Sequence, residues 1–429
     1  MVAPFIVPRA EHSISRKNID PDALKVLYRL RDNHFTAYLV GGGVRDLLLG
    51  RQPKDFDIGT DAHPYQIKKL FRNCWIIGRR FRLAHVKFGQ KTIEVATFRK
   101  NVPDTPSDPP VEETTVVASV PEAPESASAS PIHRDNTFGT PEEDAFRRDF
   151  TVNGLFYDIS TFSVIDYVGG LKDLEDRMLR SIGDPKVRFV EDPVRMTRAA
   201  VFAARLDFRM DDEVRAAIAQ HRKLITLASP ARLLEEYFKI LRSGYAEASF
   251  RALLETRLLE LVTPELKSPS EEFWESLARL DDYRRRFPSA PPQLTTPILV
   301  GALVSPLGLL SRKAADAGLG GDGRPPERFS FGMLPIARRD LERLRHINQL
   351  LPRLADPNLP PRVARSIVNR PAFDDALTWL EVFSDSPELV TYWRVAQRER
   401  GEQAPGPAGR SAEGDRPAGR RRRRRRRRR

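Results

Sequence analysis

Residues 53–60 read PKDFDIGT, and the two aspartates in that stretch decide how the N-terminal part of the chain is read. Asp is disfavoured in strands, so Asp55 and Asp57 on either side of Phe56 require a reason. In extended backbone, side chains at i and i+2 point the same way, which places both carboxylates on one face and Phe56 with Ile58 on the other. DFDI is accordingly predicted as a strand. Two carboxylates held this close repel each other unless a cation lies between them. Hard oxygen donors at that spacing suit Mg²⁺, which completes its shell with water and substrate phosphates. A solvent-facing edge strand, or a pair of turn aspartates, would produce the same triplet.

The neighbouring segments bear on that choice. Residues 39–50, LVGGGVRDLLLG, place a glycine turn between a strand and a short helix closed by Gly50. Gly42 and Gly43 let backbone N–H groups approach a phosphate, and Arg45 in the first turn adds positive charge. A carboxylate pair beside a phosphate cradle is what nucleotidyl transfer requires. Two residues are candidates for a third acid, Glu94 in TIEVATFR and Asp149 in RRDF. Both are expected in the site, although arginines around Asp149 equally suit a plain salt bridge.

The wider pattern is a small α/β head followed by an all-helical remainder. Helices are predicted over residues 22–33 and 64–73, and strands at FTAYLV, HVKFG and KTIEVATFR, the last two as an antiparallel pair. Thr140, Pro141 and Glu143 form a capping box. LFYDI and FSVIDYV read as a hairpin, and from about residue 185 the apolar spacing is helical. Residues 101–131, rich in Pro, Ser, Glu and Ala, are expected to be a disordered loop, and 312–326 a linker.

No apolar run is long enough to span a bilayer, and the first residues lack a secretory h-region, so a cytoplasmic location without membrane contact is expected. A lone cysteine, Cys74, excludes an internal disulfide and a cysteine zinc site. The net charge of +13 falls to +3 without the ten arginines of Arg420–Arg429, so the basicity belongs to a tail suited to polyanions.

LVGGGVRDLLLG, DFD, RRDFTVNGLFYD, DYVGGLKDL and EDPVRMTRAA occur in this order. Together they resemble the bacterial class II nucleotidyltransferases, which comprise tRNA CCA-adding enzymes and bacterial poly(A) polymerases, over roughly residues 7–250. The resemblance implies an α/β nucleotidyltransferase head with a mixed sheet and helices, then an all-α neck, body and tail. It implies boundaries of 1–180 for the head, 181–250 for the neck, 251–400 for the body and tail, and 401–429 for a disordered arginine-rich end. Asp55 and Asp57 would hold two Mg²⁺ ions, with Asp149 an active-site acid, and Arg148 and Asn153 would handle the ribose and triphosphate of ATP. Asp166, Gly169, Gly170 and Asp173 look like the family's hinge. Glu191, Asp192 and Arg195 would form an amino-acid template for the incoming base, with Arg198 reaching phosphate. Read from the residues alone, Asp192 before Pro193 is also a helix N-cap, and Asp192, Arg195 and Arg198 share a face at spacings of three.

Residues 76–99 look like the signature of poly(A) polymerases, and Arg79, Arg80, Arg82 and Lys87 put positive charge where an RNA backbone could run. The expected activity is template-independent addition of AMP from ATP to RNA 3′ ends. CCA addition to tRNA and a catalytically silent RNA-binding protein are the alternatives. Two departures from the family pattern stand out: Val201 where a third arginine is usual, and Gly154 for serine, a change expected to matter little. Farther on, the apolar stripes of FWESLARLDDYRRRF, RRDLERLRHINQLL and DALTWLEVF are read as core, with Arg284–Arg286, Arg338 and Arg339 available to single-stranded RNA.

Overall fold

A computed structural model describes residues 3–78, 82–100, 138–309, 330–356 and 359–403. The loop at 101–131, the linker at 312–326, Arg79, Arg80 and the arginine run all lie outside the described residues. The chain forms two compact units, Met1–Glu342 and Arg343–Arg429.

The first unit opens on an eight-stranded mixed sheet. Its strands are β1 (Phe5–Val7), β2 (Ala37–Val40), β3 (Ile58–Thr60), β4 (Cys74–Ile77), β5 (Leu83–Phe88), β6 (Lys91–Thr97), β7 (Leu155–Asp158) and β8 (Ser163–Asp166). They lie in the order β1-β8-β7-β2-β3-β6-β5-β4. All neighbours are antiparallel except β3 and β6, which run parallel with Ile58 opposite Val95. The two hairpins expected from alternation are present, β5 with β6 and β7 with β8. Val40, Phe98, Ala145, Phe156 and Ile165 form a core cluster against the centre of the sheet.

Helices cover the sheet: α1 (Pro21–Asp32), α2 (Gly42–Leu48), α3 (Pro64–Leu70), α4 (Pro141–Phe146) and α5 (Gly170–Glu175). Asp20 caps α1 by accepting from the Asp22 and Ala23 N–H groups. Thr140 and Glu143 close the predicted capping box on α4. A two-stranded ribbon, β9 (Met178–Leu179) with β10 (Arg209–Met210), stands apart.

Beyond it the unit is helical: α6 (Pro185–Glu191), α7 (Val194–Leu206), α8 (Asp212–His221), α9 (Pro230–Leu241), α10 (Ala246–Glu255), α11 (Leu259–Val262), α12 (Glu271–Arg285) and α13 (Thr296–Val304). The FWESLARLDDYRRRF stripe buries Phe273, Trp274, Leu277, Leu280 and Tyr283 in α12. Arg284, expected at an RNA surface, is 3% exposed and donates to the Arg242 and Phe287 carbonyls. It belongs to the core because its stem follows the apolar face of α12 while its head finds backbone acceptors. The second unit is also helical, with Trp393 buried, donating to the Leu354 carbonyl and packed edge-on against Phe373. Among the described residues no helix is long and apolar enough to cross a membrane.

Three glycines are dictated by space. Gly41 has φ +71° and ψ −132°, and a Cβ there would lie 2.7 Å from Arg148 Nη1. A Cβ on Gly170 would meet the Thr151 carbonyl at 2.1 Å. Gly154 corrects an expectation: a Cβ there would lie 2.6 Å from Val168, so a serine does not fit beside the present Val168 and Ile182. A Gly41→Ala variant should lose about 1–3 kcal/mol of stability, because its backbone region is nearly exclusive to glycine. Urea unfolding monitored by circular dichroism measures this.

Candidate active site

The end of β2 and the start of β7 meet beside Gly41. β2 stops at Val40, whose N–H donates to the Asp57 carbonyl, and Gly41 N–H donates to the Leu155 carbonyl at the start of β7. A Cβ on Gly43 would come within 3.3 Å of the Asp55 carbonyl, so the glycine turn lets α2 lie close against the DFD backbone. The DFD residues precede β3 and do not form a strand as expected, because β2 turns away at Gly41 and leaves them no ladder beyond the Val40 bond. The alternation survives the loss of pairing. Phe56 and Ile58 are buried while Asp55 and Asp57 are exposed.

Asp57 has its carboxyl pushed up to about 6, by the mass of protein around it first, then by Glu94 and by Asp55, with Arg148 pulling the other way. Glu94 lies on the adjoining strand, exposed, with His85 Nε2 at 3.7 Å. Among the described residues no three acidic, histidine or cysteine side chains form a ready metal cage. Two exposed carboxylates this close in the chain still fit Mg²⁺, since that ion draws most of its shell from water and phosphate.

Asp149 is placed differently from Glu94. Its Oδ2 accepts from Arg198 Nε at 2.9 Å and Nη2 at 2.7 Å, and its Oδ1 from Asn153 Nδ2 and the Phe150 N–H. Burial opposes the charge, but Arg198, followed by Asn153, holds this carboxyl below the usual range. Arg198 also reaches Glu236 at 3.7 Å, and these acids keep it cationic despite its burial. Asp149 therefore orients its neighbours and has no oxygen left without a partner.

Arg45, expected at a phosphate, is 2% exposed. Its Nε and Nη2 donate to Asp46 and its Nη1 to Asn153 Oδ1, while its guanidinium lies 5.5 Å from the Phe202 ring centre. The arginine is turned inward because Asp46 is the next residue and Asn153 waits on the adjoining turn, so it acts as a strut under Gly42 and Gly43. Arg148 stays nearer the open side: Asp144 holds its Nε and Nη2, and its Nη1 donates to the Asn153 carbonyl beside Gly41.

The template segment is also engaged. Pro193, not Asp192, is the N-cap of α7, and Asp192 accepts from the Val194 N–H. Arg232 on α9 grips Asp192 with a fork, at 3.1 and 2.8 Å. Arg195 donates to Glu191 and to the Arg188 carbonyl. Phe202 lies within 6 Å of three guanidinium groups, those of Arg45, Arg198 and Arg205. With valine at 201, Arg205 turns toward Asp46 at 3.9 Å. In the DYVGGLKDL turn, Asp166 accepts from the Val168, Gly169 and Leu171 N–H groups, and Asp173 from Thr151 and Arg180. Arg82 rests on Tyr65, 5.5 Å from its ring centre.

Sequence reasoning missed Lys54, Asp144, Phe202, Arg232 and Glu236. Lys54 donates to the Ser243 carbonyl, and its ammonium is pushed down to about 8 by burial and then by Arg284 and Arg205. Arg232 and Glu236 stand one helical turn apart on α9, a signal that was available but lacked any indication of its partners forty residues away.

A mixed-sheet head that carries a carboxylate pair at its strand ends, followed by helices bearing an Asp-Arg segment, defines a nucleotidyltransferase architecture. Three family descriptions match the chain in order: the Poly A polymerase head domain over residues 37–180, the probable RNA and SrmB-binding site of polymerase A over 207–268, and the polymerase A arginine-rich C-terminus over 330–429. The chain is thus similar to bacterial poly(A) polymerases in its head, in its RNA-binding segment and in its arginine-rich C-terminal part. Poly(A) polymerase I of Escherichia coli is 47% identical over 287 residues, which are 65% of this chain and 59% of that protein. Poly(A) polymerase I of Salmonella typhi is 49% identical over 60% of this chain and 53% of its own length, so the chain spans somewhat more than half of these relatives. A CCA-adding enzyme of Lactobacillus helveticus matches at 34% over 56% of this chain and 54% of its own. In fold, the chain is similar to the crystal structure of the Bacillus stearothermophilus CCA-adding enzyme in complex with CTP, with a TM-score of 0.58 and 24% identity over 89% of this chain and 83% of that one.

Arg198→Met should cost about 3 kcal/mol near neutral pH by leaving Asp149 buried and unpaired. The wild-type carboxyl lies below its unfolded value, so its contribution is present above that value and lost as pH falls through the folded one. In the variant burial is opposed only by the Asn153 and Phe150 hydrogen bonds, so the deficit shrinks toward about pH 4 as the carboxyl protonates. Urea titrations across that range read the difference. For Asp57 the sign is opposite: its raised carboxyl favours the fold when protonated, and that contribution disappears as pH rises through about 6. Added Mg²⁺ should therefore raise the thermal midpoint more at about pH 7.5 than at about pH 5, in a melting series with and without chelator.

Proposed function

We propose that this chain transfers AMP from ATP to the 3′ ends of RNA without a template, with Mg²⁺ as the divalent ion. The observation that carries this reading is the exposed Asp55 and Asp57 pair beside the Gly41 turn, with the Asp57 carboxyl pushed up to about 6 by the protein around it and then by Glu94 and Asp55. Mg²⁺ held by Asp55 and Asp57 would polarise the α-phosphate and lower the pKa of the attacking 3′-hydroxyl.

The side chains of the protein supply the rest. Arg148, beside Gly41 and close enough to act on Asp57, offsets the charge of the triphosphate. Asn153 and Arg45 stiffen the turn under it. Glu94 adds negative potential beside Asp57. Asp192 accepts from the exocyclic amine of adenine while Arg195 donates to the ring nitrogen, so both present the donor and acceptor order of that base. The 3′ oxygen forms its bond to the α-phosphorus, the bond to the bridging oxygen breaks, and pyrophosphate leaves. No protein nucleophile takes part. The higher identity to poly(A) polymerases than to CCA-adding enzymes supports ATP as the sole substrate.

The test is to incubate the protein with Mg²⁺ and each nucleoside triphosphate separately, offering an unstructured RNA primer and a tRNA lacking its CCA end. Long extension with ATP alone on the unstructured primer is expected, with Asp57→Ala abolishing it while RNA binding persists. Addition of two cytidylates and one adenylate to the tRNA, then arrest, would identify a CCA-adding enzyme. Extension by the Asp57→Ala variant would remove the metal assignment.

A further inference from the structure

A row of side chains crosses the end of the sheet next to the carboxylate pair. Trp75 on β4 lies directly opposite His85 on β5, and His85 directly opposite Glu94 on β6. The parallel pairing of Ile58 with Val95 continues that row from Glu94 to Asp57. Direct cross-strand partners share a face, so Trp75, His85, Glu94 and Asp57 line one side of the sheet. Strands lie about 4.8 Å apart, which sets Trp75 about 14 Å from the carboxylates.

This face is built unlike an ordinary solvated surface. Trp75 is 51% exposed and Ile77, next along the same side of the outermost strand, is 50% exposed. Lys87, also exposed, holds its ammonium 5.1 Å from the Trp75 ring centre. The sole acid that β4, β5 and β6 present on this side is Glu94, at the end nearest the carboxylate pair. A flat aromatic ring with a cation over it, on a sheet surface continuous with a reaction centre, is the chemistry that holds unpaired bases and their phosphates.

We propose that the Trp75, His85 and Lys87 face binds single-stranded RNA upstream of its 3′ end, with one base stacked on Trp75 and a phosphate beside Lys87. It rests on the reading of the chain as an RNA 3′-end nucleotidyltransferase. The site lies outside residues 207–268, the segment that matches the RNA-binding family description. At a stacked rise of about 3.4 Å per nucleotide, the stacked base lies up to about four nucleotides from the growing end.

The experiment uses the full chain and oligoadenylates of increasing length. Trp75→Ala should weaken binding in fluorescence anisotropy by about fivefold or more, as expected for one lost base stack. The KM for primer should rise by a similar factor, while the KM for ATP and kcat at saturating primer stay unchanged. The loss should be absent for primers too short to reach Trp75. Trp75→Phe should recover most of the affinity, and Lys87→Gln should reduce the salt dependence of binding by about one phosphate contact. Primers carrying 5-iodouridine at successive positions should cross-link to Trp75 from one position two to four nucleotides back. Wild-type affinity and primer KM in Trp75→Ala, with cross-links elsewhere, would overturn the proposal and leave this face to a protein partner. If wild-type protein extends no RNA, the polymerase reading fails, while anisotropy and cross-linking still decide the platform.

Discussion

The ion pair between Asp149 and Arg198 is the contact on which the arrangement of the site depends. It joins the turn that follows α4 to the middle of α7, across forty-nine residues, and both partners are partly withdrawn from water. Breaking such a pair strands a charge, so removing either partner alone destabilises the fold. Through Asn153 the carboxylate also fixes Arg45 and hence the glycine turn, and through Glu236 the guanidinium fixes α9, which supplies Arg232 to Asp192. The glycine turn of the head and the Asp192 segment of the helices are thus parts of one hydrogen-bonded frame.

Within that frame the charges divide into two populations. Arg45, Asp46, Asp144, Asp149, Asp192 and Arg198 are paired, and their energies go into holding geometry. Asp55, Asp57 and Glu94 stand against one another with little relief, and Asp57 carries the cost as a raised proton affinity. A surface that leaves only its acids unsatisfied is poised for a cation, and the local breach of stability rules marks where function resides.

Much of the fold was legible from the sequence because the local rules agree with one another. The capping box at Thr140, the two hairpins and the helical spacing after residue 185 each combine a chemical and a periodic signal. The extent of β3 was misread because alternation reports the facing of side chains and says nothing about whether a neighbouring strand is present to bond the backbone. β1 and β4 are short and lie at the two edges of the sheet, where little burial pattern accumulates. At the site, the facing of the aspartates was legible because residues two apart in extended backbone point the same way. The inward turn of Arg45 was not, since its partner Asn153 lies 108 residues away. Arg232 and Lys54 were invisible for the same reason: their roles come from distant partners, Asp192 and the Ser243 carbonyl.

The parallel pairing of β3 with β6 has a consequence for synthesis. β3, which Asp57 precedes, and β6, which carries Glu94, are joined only through a crossover containing α3, β4 and β5, and the frame behind them is closed by Arg198 and Arg232. Contacts of such sequence separation form late, because loop closure precedes the reward. A chain emerging from the ribosome therefore displays its acidic pair well before the helices that complete the pocket exist. During that interval the nascent head lacks Arg198 and Arg232, so completion of the frame is coupled to the arrival of α7 and α9.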